Sequence, residues 1–215
     1  MDILNVLNKC QAAKDWINRD DQSMYQNWIN RVNKNLSHLN EDQLNLLRNK
    51  FENIKNINQL IDKLAEILVA AEYGSDKPVF LSDKNSGPDI FLEKTKKYIE
   101  VKNLNNSDVK KNLIKKMREQ GGILEGSSAG SFEFFLENDE ENYKRLISKA
   151  KEMINKGIKQ LDGKDGSIYF VYSIDLIPPP IKNIKTKSEC FENDIKSYCQ
   201  KNNIDVITKS LSRFF

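Results

Sequence analysis

Gly87-Pro88-Asp89-Ile90-Phe91-Leu92, then Glu93-Lys94-Thr95-Lys96-Lys97, then Tyr98-Ile99-Glu100-Val101-Lys102-Asn103 is the stretch on which the reading of this chain turns. Two short apolar runs flank a lysine-rich break, the pattern of two β-strands joined by a turn. Side chains alternate across a strand, so Glu100 and Lys102 share one face while Val101 points to the other. If the strands pair as a hairpin, Asp89 returns to the same end of the ribbon as Glu100 and Lys102. Two carboxylates and an amine then converge on one spot. Such a set can hold a hard divalent cation and place a lysine beside whatever that cation activates.

Working outward, Gln59 to Gly74 reads as a strongly apolar helix with Gly74 as its C-terminal stop. Pro78-Val79-Phe80-Leu81 reads as a buried strand. Beyond the hairpin, Val109 to Met117 is expected to form a basic helix carrying Lys110, Lys111, Lys115 and Lys116. Gly121 to Gly130 is a Gly/Ser-rich loop without the Gly-Lys-Ser/Thr of a phosphate loop, so no nucleotide cofactor is expected. Asn142 to Leu161 has an apolar side of helical period. Asp162-Gly163-Lys164-Asp165-Gly166 lacks the further acids of a calcium loop and reads as a turn. Ser167 to Asp175 is a near-continuous apolar run, the mark of a central strand covered on both faces. Phe191–Lys201 and Ile204–Ile207 supply a last helix and strand.

Residues 1–57 read as all-helical. Val6, Ala13, Trp16 and Ile17 form one apolar stripe, and Tyr25, Trp28, Ile29, Val32 and Leu36 a second. Asn40 is placed to cap the helix through Leu44, Leu47 and Phe51. His38 has no partner motif and is expected at the surface or in a cap. Strands and helices in mixed order from residue 58 imply an α/β fold with a central mixed sheet. The expected organisation is an N-terminal helical appendage, 1–57, on a domain spanning 58–215.

Composition narrows the class. The chain has 34 basic and 31 acidic residues, so its net charge of +3 is weak evidence for a polyanionic partner. Three cysteines, Cys10, Cys190 and Cys199, stand in no Cys-x-x-Cys pair, and His38 is the single histidine. That argues against a structural zinc site and a disulfide framework. No run approaches the ~18 apolar residues of a membrane span, and the first residues lack a signal-peptide pattern. A cytoplasmic protein with no membrane partner is the expectation.

Pro88-Asp89, ten intervening residues, then Glu100-Val101-Lys102 resembles the PD-(D/E)XK nuclease superfamily, the restriction-endonuclease-like fold. The family's core order of helix, three strands, helix, strand is similar to the elements expected from Leu60 to Asp175. The resemblance leaves residues 1–57 and 104–140 unassigned. It implies a metal-dependent endodeoxyribonuclease of restriction or phage-defence type, using Mg²⁺ or Mn²⁺. It makes Asp89 and Glu100 metal ligands, with the Val101 main-chain carbonyl as a further ligand and Lys102 beside the attacking water. Glu66 matches the helix acid that many members carry before the first strand, which the resemblance makes a further catalytic residue and metal ligand, with Glu72 as the competing position. Gln160 resembles the glutamine that some families place at the end of the long helix. Taken alone, Glu-x-Lys also describes an ordinary same-face ion pair on an exposed strand.

Lys94, Lys96 and Lys97 in the hairpin turn, and Lys110, Lys111 and Lys115 after it, are the candidate phosphate contacts. Tyr, Phe and Lys are not interleaved along the chain as in a single-strand stacking platform, which favours duplex DNA; DNA is expected over RNA as the partner. The helical N-terminus would then serve target recognition or homodimerisation. The alternative is a catalytically silent nuclease-fold protein that binds nucleic acid or a protein partner.

Overall fold

The structure, a computed structural model, describes residues 2–11, 13–14, 22–54, 57–82, 87–104, 139–172 and 184–210. Within them run helices α1 (Ile3–Leu7), α2 (Gln22–Asn35), α3 (Glu41–Glu52) and α4 (Ile57–Glu72). Strands β1 (Pro78–Phe80), β2 (Ile90–Leu92) and β3 (Lys97–Leu104) follow, then α5 (Asp139–Leu161), β4 (Gly166–Tyr172), α6 (Ile184–Lys201) and β5 (Val206–Ser210). The strands form one sheet in the order β1-β2-β3-β4-β5. β1, β2 and β3 pair antiparallel, while β4 joins β3, and β5 joins β4, in parallel. Parallel neighbours need a crossover, and α5 and α6 lie in those connections. The α/β class and the mixed sheet flanked by helices are as expected.

Alternation along β4 sorts the interior into two layers. Ile168, Phe170 and Tyr172 pack with Leu146, Ala150 and Ile154 of α5 and Phe191 and Ile195 of α6. Tyr169 and Val171 belong to the opposite layer, with α4, Ile99 and Val101. The continuous apolar run of β4 therefore serves a strand covered on both sides. Its first residue must be small: a Cβ at Gly166 would overlap the carbonyl of Tyr98 on β3.

The N-terminal helices are part of that second layer. Ile3, Leu7, Trp28, Val32, Leu47 and Phe51 share one continuous core with Leu64 and Leu68 of α4 and the sheet. Asn40 caps α3 as expected, its side chain accepting from Gln43 N at 3.0 Å. His38 ties this region to the sheet, its Nε2 lying 2.8 Å from the Pro78 carbonyl oxygen. Asn35 Nδ2 donates to the Ala71 carbonyl at 2.9 Å. Gly74 opens a short 3₁₀ turn just past α4, and its contribution is space: a Cβ there would stand 2.7 Å from the Asn35 carbonyl oxygen.

Candidate active site

The β2–β3 hairpin aligns Ile90 with Ile99 and Leu92 with Lys97, with Lys96 in the left-handed region (φ 59°) at its turn. The pairing continues one step further, since Asp89 N donates to the Ile99 carbonyl at 3.2 Å. Asp89 thus sits opposite Glu100 at the open end of the ribbon. Its Oδ2 accepts from Val101 N at 2.9 Å, which locks the carboxylate toward β3. The Val101 side chain points away, into the α4 layer.

Glu100 and Lys102 share the α5 face. Glu100 is fully buried and ion-paired through Oε1 with Lys102 Nζ. The same ammonium donates to Gln160 Oε1 of α5 at 2.5 Å. A glycine makes this approach feasible. A Cβ at Gly157 would stand 3.4 Å from Glu100 Cγ and 3.2 Å from Ile168 Cδ1, so α5 comes down close over Glu100. Gln160, three residues along, lies on the same helix face and reaches Lys102. The structure therefore brings Asp89, Glu100, Lys102 and Gln160 together.

Glu66 is mostly buried on α4, with Oε1 at 2.7 Å from Lys63 Nζ and Oε2 at 3.2 Å from Lys50 Nζ. Its charge acts on both acids of the hairpin end. Glu72 faces elsewhere, accepting from the Tyr169 hydroxyl and pairing with Lys209. Of the two helix acids, Glu66 is the one beside the pair. Lys50 and Lys63 were not anticipated. The i,i+3 spacing of Lys63 and Glu66 carries a signal for the first pair, whereas Lys50 arrives from α3 by tertiary packing alone. Lys94, Lys96 and Lys97 are exposed at the opposite, closed end of the hairpin. Lys110, Lys111 and Lys115 lie outside the described residues.

The electrostatics are those of crowded carboxylates. Asp89 is held well above the ordinary carboxylate range, first by burial and then by the Glu66 and Glu100 charges; its bond from Val101 N and Lys102 oppose this. Burial also raises Glu100, with Lys102 pulling it back, Glu66 adding to the rise and the neighbouring Asp89 carboxyl opposing it. Glu100 Oε2 is buried with no hydrogen-bond partner. Like charges pressed together around an orphaned oxygen gain from a bound cation. Mg²⁺ is content with one or two carboxylates and several waters, so Asp89 and Glu100 fit it in number and hardness. Among the described residues no three His, Cys, Asp or Glu side chains form a ready metal cage, in keeping with both Glu66 oxygens being held by lysines. Comparison with protein-family models, with curated proteins and with solved structures returns no match.

Proposed function

We propose that the chain is a metal-dependent nuclease of the PD-(D/E)XK type, hydrolysing phosphodiester bonds in DNA. The observation that carries the reading is the convergence at one hairpin end of Asp89, the buried Glu100 with its unpartnered Oε2, and Lys102 held by Gln160. The order α4, β1, β2, β3, α5, β4 agrees with that superfamily's core. Asp89 and Glu100 would hold the cation, with Mg²⁺ or Mn²⁺ as the suitable ions. When bound, the ion supplies Lewis acidity and a more acidic water. Lys102 donates to a non-bridging phosphate oxygen or to the nucleophile, countering charge as it develops. Gln160 fixes the ammonium so that little rotamer entropy is lost when it does so. Glu66, with both oxygens held by Lys50 and Lys63, is a neighbour of this site and is not assigned as a ligand of the cation.

The test is incubation of the full chain with plasmid DNA in Mg²⁺ or Mn²⁺ against EDTA. Nicking or linearisation that is lost in Asp89→Asn and in Lys102→Ala is expected. Full cleavage by either variant would refute the mechanism. A second reading, a nuclease-fold protein that binds without cutting, is favoured by the lysines that already neutralise Glu66 and Glu100. DNA binding in EDTA with no cleavage in either metal would select it.

A further inference from the structure

Phe91 and Tyr98 face each other across the hairpin, ring centroids 4.9 Å apart. Alternation puts both on the face that carries the candidate site, because Phe91 is two residues after Asp89 and Tyr98 two before Glu100. Two strand residues span about 7 Å, so the rings lie directly beside the carboxylates along the ribbon. Both are half-buried. Tyr98 touches the edge of the α5–α6 layer, whereas Phe91 belongs to neither core among the described residues. Each ring has an ammonium over it. Lys96 Nζ of the hairpin turn stands 5.8 Å from the Phe91 centroid, and Lys164 Nζ of the α5–β4 turn 5.3 Å from that of Tyr98.

We infer that the Phe91–Tyr98 pair, with Lys96 and Lys164, is a stacking subsite for an unpaired nucleotide, so that the substrate is single-stranded DNA or a locally opened duplex. A base has a π-face that can replace the ammonium over a ring. The displaced lysine then moves to the phosphate of the same nucleotide, so ring and ammonium each exchange their mutual contact for one with the ligand. A base within a duplex is stacked between its neighbours and has no face to offer. The surrounding charge argues the same way. Lys94, Lys96, Lys97 and Lys164 share their two turns with Glu93, Asp162 and Asp165. That near-neutral rim is poor at gathering the many phosphates of a duplex, and the two lysines over the rings are what remains specific. Alternation within the hairpin, not interleaving along the chain, assembles the platform.

The subsite's role in cleavage rests on the nuclease reading; its binding does not, and is measured without metal. Fluorescence anisotropy in EDTA would compare a labelled single-stranded oligodeoxynucleotide with a duplex of the same sequence. The single strand is expected to bind more tightly to the full chain. Phe91→Leu and Tyr98→Leu keep apolar volume but lose the ring, and each should weaken that binding roughly 5- to 150-fold, the worth of one stacked base. Phe91→Trp should preserve it. Lys96→Gln and Lys164→Gln should each flatten the slope of log affinity against log salt by about 0.7. No binding of the single strand, equal or tighter binding of the duplex, or Leu variants that bind like the wild type would overturn the inference. Ring-dependent binding with no cleavage in Mg²⁺ or Mn²⁺ would sink the nuclease reading and leave the subsite standing. Metal-dependent cleavage with ring-independent binding would do the reverse.

Discussion

Replacing Lys102 by Met separates the structural work of the Glu100–Lys102 pair from its chemistry. The Glu100 side chain has no exposure and that of Lys102 retains 16 %, so the substitution strips a buried carboxylate of its cation. With the ammonium gone, Glu100 keeps only the neighbouring acid Asp89 beside it. Breaking a buried ion pair from one side costs about 3–5 kcal/mol, and the partial exposure of the ammonium places this case near 3. For a chain of this size that corresponds to a fall in Tm of about 6–12 °C. The pH dependence follows from the same charge. Burial already raises the Glu100 pKa above its ordinary 4.5 and Lys102 restrains it, so removing Lys102 raises it further. Between the unfolded and folded values the native state then holds a proton that the unfolded chain has released. Stability therefore falls as pH rises through that window. The deficit against wild type should be largest near neutral pH and shrink as pH drops toward the ordinary carboxylate range.

Thermal unfolding in EDTA at several pH values measures this directly. The double variant Glu100→Gln/Lys102→Met removes the stranded charge and should recover most of the lost stability, while cleavage stays absent. A Lys102→Met protein as stable as wild type at neutral pH, or a double variant no better than the single one, would refute the claim that Glu100 is a buried charge dependent on Lys102.

Three further outcomes follow from the same geometry. Asp89 and Glu100 both have raised folded-state values, so metal-free wild type should lose stability as pH rises from about 4 toward neutral. Asp89→Asn should blunt that loss and raise the Tm in EDTA, and should also abolish the Tm gain in Mg²⁺ that the proposed metal role predicts for wild type. Gln160→Leu removes the acceptor on Lys102 Nζ and should lower kcat about tenfold or more with little change in KM, since hydrogen bonds to charged groups are worth about 1.5–3 kcal/mol. An unchanged kcat would remove Gln160 from the site. Gly74→Ala places a methyl against the Asn35 carbonyl and should cost about 1–3 kcal/mol in chemical denaturation, as overpacking does.

The hairpin was legible because its information is local. Period-two alternation fixes the faces of Glu100, Val101 and Lys102, and a five-residue break fixes which end Asp89 returns to. β4 was legible for the same reason, as an apolar run bounded by turns. Gln160 lay within reach only by analogy, because its contact with Lys102 spans 58 residues and depends on Gly157 bringing α5 close to the sheet. The choice between Glu66 and Glu72 could not be made from the helix alone. Both follow small or apolar residues, and what separates them is that Tyr169 and Lys209 claim Glu72. The aromatic pair was missed because Phe91 and Tyr98 stand seven residues apart in the chain and meet only through strand register.

The N-terminal helices gain a physical role from Lys50. Its side chain is only 5 % exposed, and it crosses from α3 to Glu66 on α4. Left without a cation, a carboxylate as buried as Glu66 would add an unpaired charge beside Asp89 and Glu100, and desolvation makes such a charge costly. Lys63 answers part of that charge from within α4, and Lys50 answers the rest from the region that sequence alone marks as an appendage. The shared core of α1–α4 and the sheet holds that lysine in place. The site is thus completed from both sides of the sheet, by α5 through Gln160 and by α3 through Lys50. A chain cut near residue 57 would lose part of its core and the lysine that pairs with Glu66 next to the hairpin.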